Sequence, residues 1–352
     1  MGDGGGQARR VRGWVLAVVV ALGWVGCEPP DRRAPAELPP RDFTCAAGVS
    51  APCALTEPAL EGQARTVLVP PDGEGRTLTF VLDTLAFSRC DEGAPGFDLD
   101  GLDSGDGLAD ADAPCVERAR DHRATYDPLH RGVDNVVCEY IPTFDSLLPA
   151  ERCPGGVSDG CFDATIAQRI AEGALLWLVA LGGVDSLEHD ARISFRFYAG
   201  RLVGGSPALG PDGRLAAGQT FMSFPIGEPG AGDIFEGRAR ITTASLPLDF
   251  GDALGGLSFQ LPLRDVELRF DVREGALLRG VVGGHALVDD LYTPPPHGED
   301  TVRSVVAARA DLLPRPDAPD RCDALSAGLL FSATFAEHVP GPPPSDARPG
   351  RP

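Results

Sequence analysis

The sequence predicts a mainly β fold: an antiparallel β-sandwich or jelly-roll-like domain with two or three short helices and an Asp-rich insert. Three observations carry this. Period-2 alternation of apolar and polar residues recurs along the chain and marks strands buried on one face. Gly and Pro number 44 and 33 of the 352 residues, which excludes helical bundles and coiled coils and favours many turns. Hydrophobic residues make up 43% and charged residues 23%, enough apolar material for a packed core.

The elements follow in order of clarity. Residues 266–272 (VELRFDV) alternate without a break, with Glu267, Arg269 and Asp271 on the polar face. Residues 193–198 (ISFRFY) do the same, and Leu257, Phe259, Leu261 and Leu263 form a third set. Residues 78–87 (LTFVLDTLAF) and 174–181 (ALLWLVAL) are apolar on both faces and read as central strands. Segments 219–226, 237–243 and 277–288 complete a set of eight or nine, and 326–336 is the closing strand. Helices are few. Residues 163–173 place Ile166 and Ile170 one turn apart, with Asp163 as N-cap. Residues 300–313 place Val302, Val305 and Val306 on one face, and Pro314 ends that helix.

The ends of the chain read differently from its body. Arg9, Arg10 and Arg12 precede an apolar run from Trp14 to Val25. That run is shorter than the roughly 20 residues a membrane span needs, so it reads as a secretory signal peptide, residues 1–26. Gly26-Cys27 at its end resembles a bacterial lipobox, with Cys27 as the lipidated residue, although Trp24 stands where Leu is usual; the alternatives are a plain secretory peptide or an uncleaved anchor. Residues 27–41 contain five prolines and form an extended tether. Residues 42–338 read as one disulfide-stapled β domain containing an acidic insert, 97–135. Residues 339–352 read as a disordered Pro-rich tail.

Without Cys27, eight cysteines remain: Cys45, Cys53, Cys90, Cys115, Cys138, Cys153, Cys161 and Cys322. An even count in an exported chain implies disulfides. Cys45–Cys53 and Cys153–Cys161 each close a small loop. For the other four the expected pairs are Cys90–Cys115, bracketing the acidic segment, and Cys138–Cys322.

Residues 97–112 hold six aspartates and three glycines. Asp98, Asp100, Asp103 and Asp106 are two to three residues apart, and glycines between them allow tight turns. Calcium takes six to eight oxygen ligands from such a bending loop, and close carboxylates repel unless a cation sits among them. Asp134 and Asn135 add oxygens if the chain folds back. The spacing is not that of an EF-hand, because Leu102 and Ala109 occupy two required ligand positions. The bland alternative is a solvated acidic loop.

Other chemistries are weak. Gly156-Val157-Ser158-Asp159-Gly160 matches G-x-S-x-G, but no buried strand precedes it. Cys115, His122, His130 and Cys138 have zinc-ligand types, yet their spacing lacks the tight pairs of zinc sites. Glu236, Glu267 and Asp271 raise a glycosidase carboxylate pair, which a solvated strand face explains equally well. The formal net charge of −20 argues against nucleic acid as partner.

The lipobox-like start, Phe97-Asp98-Leu99-Asp100-Gly101, Gly132-Val133-Asp134-Asn135, Val288-Asp289-Asp290-Leu291 and Cys322-Asp323-Ala324-Leu325-Ser326 together resemble uncharacterised secreted lipoproteins of GC-rich, myxobacteria-like bacteria. That family has no established activity, so the resemblance implies location and fold and carries no catalytic residue across. The expected function is a non-enzymatic cell-envelope lipoprotein, structural or binding. It would be anchored to a membrane, the outer membrane by expectation, through its lipid, stabilised by calcium, and would meet a protein or glycan partner. The alternatives are a calcium-dependent carbohydrate-binding or adhesion module and an extracellular hydrolase with an unrecognised site.

Overall fold

The computed structural model describes residues 75–87, 89–90, 94–99, 121–122, 133–148, 150–156, 159–254, 257–291, 307–315 and 318–341. The chain divides into Met1–Leu60 and Glu61–Pro352, and every described residue lies in the second unit. The signal peptide, Cys27, the tether and Cys45–Cys53 therefore lie outside the described residues.

Eleven strands are present among the described residues. They are β1 (Arg76–Ala86), β2 (Asp121–His122), β3 (Val133–Asp134), β4 (Trp177–Val184), β5 (His189–Leu202), β6 (Gln219–Phe235), β7 (Arg238–Leu254), β8 (Leu257–Arg273), β9 (Ala276–Leu287), β10 (Leu312–Arg315) and β11 (Ala318–Pro340). The helices are α1 (Ile141–Leu147) and α2 (Cys161–Ala171), with short 3-10 turns around them.

The main sheet runs β1-β4-β5-β6-β7-β8-β9-β11, and β11 returns to pair with β1. The eight strands close into an antiparallel barrel, with β10 as an added strand outside β11. The sandwich or jelly-roll expectation is thus corrected. Its error has a physical source: alternation records which face of a strand is buried, and a sheet closed on itself has the same alternation as two stacked sheets. Closure depends on β11, which pairs with β9 from Ala324 to Thr334 and with β1 from Leu330 to Phe335. Residues 326–336, expected as the closing strand, lie inside it. Its last five residues, Ala336–Pro340, leave the barrel wall and run parallel to the start of β6.

The barrel is solid. Leu82, Leu85, Val179, Phe197, Leu246, Leu248, Leu268, Val282 and Phe331 converge from seven of its strands. They leave a void of about 10 Å³, the space of one water, and its apolar wall offers a water no hydrogen bond. Alternation is sharpest in β8, where Leu261, Leu263, Val266, Leu268, Phe270 and Val272 are buried. The two sets read separately at 257–263 and 266–272 are one strand, and Asp265 (φ 47°) absorbs the shift between them.

One end of the barrel is closed by the helices. Phe87, just past β1, packs on Phe162 of α2 (ring centroids 5.2 Å) and on Phe250 of β7 (5.6 Å). Trp177 meets the same Phe250 at 5.3 Å. The expected N-cap Asp163 does not cap α2. Gly160 occupies that position with φ 71°, and the carboxylate of Asp145 in α1 accepts from the Gly160 and Phe162 amides at 3.0 and 2.8 Å. Asp163 instead accepts from the Phe87 amide at 2.9 Å, tying the helix to the strand end. A negative group over these free N–H donors is favourable on both hydrogen-bonding and dipole grounds.

Two further expectations are corrected. The helix placed at 300–313 is described only from residue 307, which is helical; it ends there, and Leu312–Arg315 is the strand β10, paired with β11 through Leu312–Ala324 and Pro314–Cys322. The free edge of β11 outweighs local helix propensity there. Cys153–Cys161 forms as expected, but Cys90 pairs with Cys138. That excludes both Cys90–Cys115 and Cys138–Cys322; Cys322 is also disulfide-bonded. Spacing pointed to Cys115 as the nearer partner in sequence, while the fold brings the far end of the insert back beside Cys90.

Candidate functional site at the base of the acidic insert

The insert meets the barrel on the outer wall, over β9 and β11. Gly283 and Gly328 are direct partners across these strands, and their missing side chains make a flat saddle. A Cβ on Gly328 would stand 1.9 Å from the Pro95 carbonyl oxygen, and one on Gly283 would stand 2.8 Å from the Phe97 ring. Residues 94–97 therefore lie directly on the backbone of the wall, as only glycine allows. Arg269 of β8 covers the Phe97 ring from outside, its guanidinium carbon 4.8 Å from the centroid.

The two ends of the insert are brought together on this saddle. Phe97 and Asp134 form an antiparallel bridge, with the Asp134 amide donating to the Phe97 carbonyl at 3.0 Å. The Asp134 carboxylate accepts from the Leu99 amide at 2.6 Å. β3 continues the pairing to β2, Asp134 opposite Asp121. Cys90–Cys138 locks the base, within a small apolar cluster that includes Ala94 and Val133.

Asn135 is fully buried and joins all three parts. Its side-chain NH₂ donates to the Pro95 carbonyl at 2.7 Å and to the Gly328 carbonyl at 3.2 Å. Its Oδ1 accepts from the Cys138 amide at 3.2 Å, capping the short 3-10 helix Val136–Tyr140. The next amide, Val136, donates to Ser326 Oγ at 2.7 Å. Ser326 in turn donates to Asp311 Oδ2, and Asp311 Oδ1 accepts from the Ser326 amide at 2.8 Å. Each buried polar group here has a partner, which is what makes such a network stabilising.

The six candidate calcium ligands are placed unequally. Asp100, Asp103 and Asp106 lie outside the described residues. Asp98 is exposed at the edge of the strap. Asp134 and Asn135 are 2% and 0% exposed, and their oxygens accept from backbone amides. Among the described residues no group of three or more His, Cys, Asp and Glu side chains is arranged to hold a metal ion. Sequence reasoning took Asn135 as a ligand and missed its bonds to the Pro95 and Gly328 carbonyls, and the neighbouring link from the Val136 amide through Ser326 to Asp311. The signals were its being the only asparagine in the chain and the glycines inside strand patterns.

The remaining candidates resolve as follows. The G-x-S-x-G segment runs between a 3-10 turn at Pro154–Gly156 and α2, with Ser158 outside the described residues. Cys138 is consumed by its disulfide, and the side chains of the other members of the zinc set lie outside the described residues. Glu267 and Asp271 lie on the outer wall, each held by two arginines. Glu267 binds Arg240 at 3.1 Å and Arg269 at 2.8 Å; Asp271 binds Arg238 at 3.4 Å and also Arg279. Trp177 is 3% exposed and belongs to the core.

Ser326, His285 and Asp311 have the residue types of a hydrolytic triad, and Ser326 and His285 are direct cross-strand partners. The serine hydroxyl, however, donates to Asp311, which is not the Ser–His–Asp order of a triad. His285 is nearly buried, and that burial lowers its pKa below the ordinary 6.5; nearby Asp265 opposes the shift and Arg264 reinforces it. A base whose folded value is lowered contributes stability that is fully present above its unfolded value and is lost as pH falls from there through the folded value. Acidifying from about pH 7.5 to about pH 5.5 is therefore expected to lower the melting temperature more in the native chain than in His285→Gln. Equal slopes in the two chains would show that His285 is not a pH-sensitive group of the fold.

No protein-family model, curated protein or solved structure matches this chain.

Proposed function

We propose that the chain is an exported, non-enzymatic envelope lipoprotein, anchored to a membrane through Cys27, whose solid barrel presents the acidic insert as a calcium-stabilised binding element. The observation that carries this reading is the fixing of both ends of the insert at one point of a rigid wall. A loop closed by a disulfide, a backbone bridge and a buried asparagine meets a cation or partner with little ordering cost left at its base. The carboxylates of residues 98–106 supply hard oxygen ligands of the kind calcium takes, and their mutual repulsion falls when a cation binds. The lipobox-like Gly26-Cys27, followed by a proline-rich spacer, supports the anchor.

A ligand that binds only the native state raises the melting temperature by mass action. The full chain is expected to melt higher in millimolar calcium than in chelator. The triple variant Asp98→Asn, Asp100→Asn, Asp103→Asn is expected to lose that difference while keeping its melting temperature in chelator. An unchanged melting temperature in calcium, or a rise that survives the triple variant, would remove calcium from the account. Mass spectrometry of the mature N-terminus tests the anchor separately: a mature chain beginning at an unmodified residue other than Cys27 contradicts it.

A further inference from the structure

The outer wall carries a second ordered surface, away from the insert. His189, Phe235, Arg238, Asp271 and Leu278 are successive cross-strand partners on β5, β6, β7, β8 and β9. They form one row across five strands, about 19 Å long at the usual strand spacing. The row is amphipathic. Phe235 is 50% exposed, its ring tilted at 59° to that of His189 with centroids 5.2 Å apart, and Leu278 is 43% exposed at the other end. Between them the cations lie outside and the anion beneath. The side chains of Arg238 and Arg279 are 64% and 72% exposed, while the Asp271 carboxylate they share is 8% exposed.

Arg279 reaches this position through a strained backbone. It has φ 49° and lies where the β8–β9 register slips, between the pairs Arg269–Val281 and Asp271–Leu278. A left-handed conformation is unfavourable for a residue with a Cβ, and bulges of this kind re-aim a side chain. Glycine would serve the backbone better. The arginine is kept at a cost, and what it gains is a guanidinium held beside Asp271 with donors left for another anion.

We propose that this row is a docking site for a linear anionic glycan, a polyuronate by chemical class. Two anchored guanidiniums, fixed by one buried carboxylate, meet the planar carboxylates of the sugar chain. The Phe235 ring, beside His189, offers an apolar face to a sugar ring. An anionic bilayer fits worse: the neighbouring hairpin tips carry exposed Asp185, Glu188, Glu236 and Glu274, which a flat negative surface would meet, whereas a linear chain can follow the row. The site is separate from the insert, so it stands or falls independently of calcium binding and of the anchor.

The test uses the full chain at low ionic strength against polygalacturonate, neutral dextran and phosphatidylglycerol vesicles. The expected result is binding to polygalacturonate that weakens with salt. Arg279→Gly is expected to lower the affinity about tenfold with only a small change in melting temperature, because relief of the backbone strain offsets part of the loss of its bond to Asp271. Arg238→Ala is expected to weaken binding similarly, and Arg214→Ala, on the β5–β6 connection, to leave it unchanged. Absence of binding to polygalacturonate, binding undiminished in both arginine variants, or preference for the vesicles would each overturn the proposal.

Discussion

Replacing Asn135 by alanine is expected to be among the most damaging single changes to this protein. The side chain is fully buried and makes three hydrogen bonds, to the Pro95 and Gly328 carbonyls and from the Cys138 amide. Alanine removes the donor to the two carbonyls, away from water, and leaves the Cys138 amide only its 3.3 Å bond to the backbone carbonyl of residue 135. At about 1–3 kcal/mol for each buried group left unsatisfied, the loss is roughly 4 kcal/mol. For a domain of this size that is a fall in melting temperature of about 10 °C. Asn135→Asp is not a mild alternative at neutral pH, because a carboxylate would face two carbonyl oxygens in place of an NH₂ donor. Thermal unfolding of the two variants beside the native chain checks this; a fall of less than about 2 °C in Asn135→Ala would show that the buried bonds contribute little.

The second large effect is expected from adding a single methyl group. A Cβ on Gly328 would stand 1.9 Å from the oxygen and 2.6 Å from the carbon of the Pro95 carbonyl. Both are backbone atoms, so no side-chain rotation relieves the clash. Gly328→Ala must lift residues 94–97 from the wall, and with them the Asn135 bonds to Pro95 and Gly328. Overpacking of this kind costs about 1–3 kcal/mol, and the lost hydrogen bonds add to it. The backbone of Gly328 itself needs no glycine: it has no positive φ and lies within regular β11–β9 pairing. A destabilisation of roughly 3 kcal/mol or more would thus report docking of the strap and not strand strain. Gly328→Ala melting with the native chain would mean that the strap does not lie on the wall.

Much of the fold was legible in the sequence, for a definite reason. Where a strand has one buried face, alternation names it, and Val266 to Val272 or Ile193 to Tyr198 leave no other reading. The same reasoning could not close the barrel. Closure rests on contacts such as that between Thr84 and Ser332, 248 residues apart, and on the length of β11; neither alters the local pattern. Nor could it join Leu257–Leu263 to Val266–Val272, because the φ-positive Asp265 shifts the alternation within what is one strand.

The base of the insert was half legible. Asp134-Asn135 stood out as polar residues that looked like ligands, and the Phe97, Gly132, Val288 and Cys322 segments stood out through a family resemblance. The bonding of Asn135 was hidden because its partners are backbone carbonyls, which no side-chain pattern announces. Gly328 and Gly283 read only as glycines in strands, although such residues often mark a close backbone approach. On the outer wall Glu267 and Asp271 were visible as a polar face. The burial of their carboxylates under pairs of arginines was not, since that depends on cross-strand register.

Asn135 and Gly328 hold the same strap, residues 94–97, to the same wall. Their coupling tests this most directly. Melting temperatures and denaturant midpoints would be measured for Asn135→Ala, Gly328→Ala and the double variant. If both changes release residues 94–97, the second has little left to break, and the double variant should be only about 1 kcal/mol worse than the poorer single one. Additive losses, within about 0.5 kcal/mol, would mean that the two residues act independently, and the insert would not be fastened to the barrel in the way described.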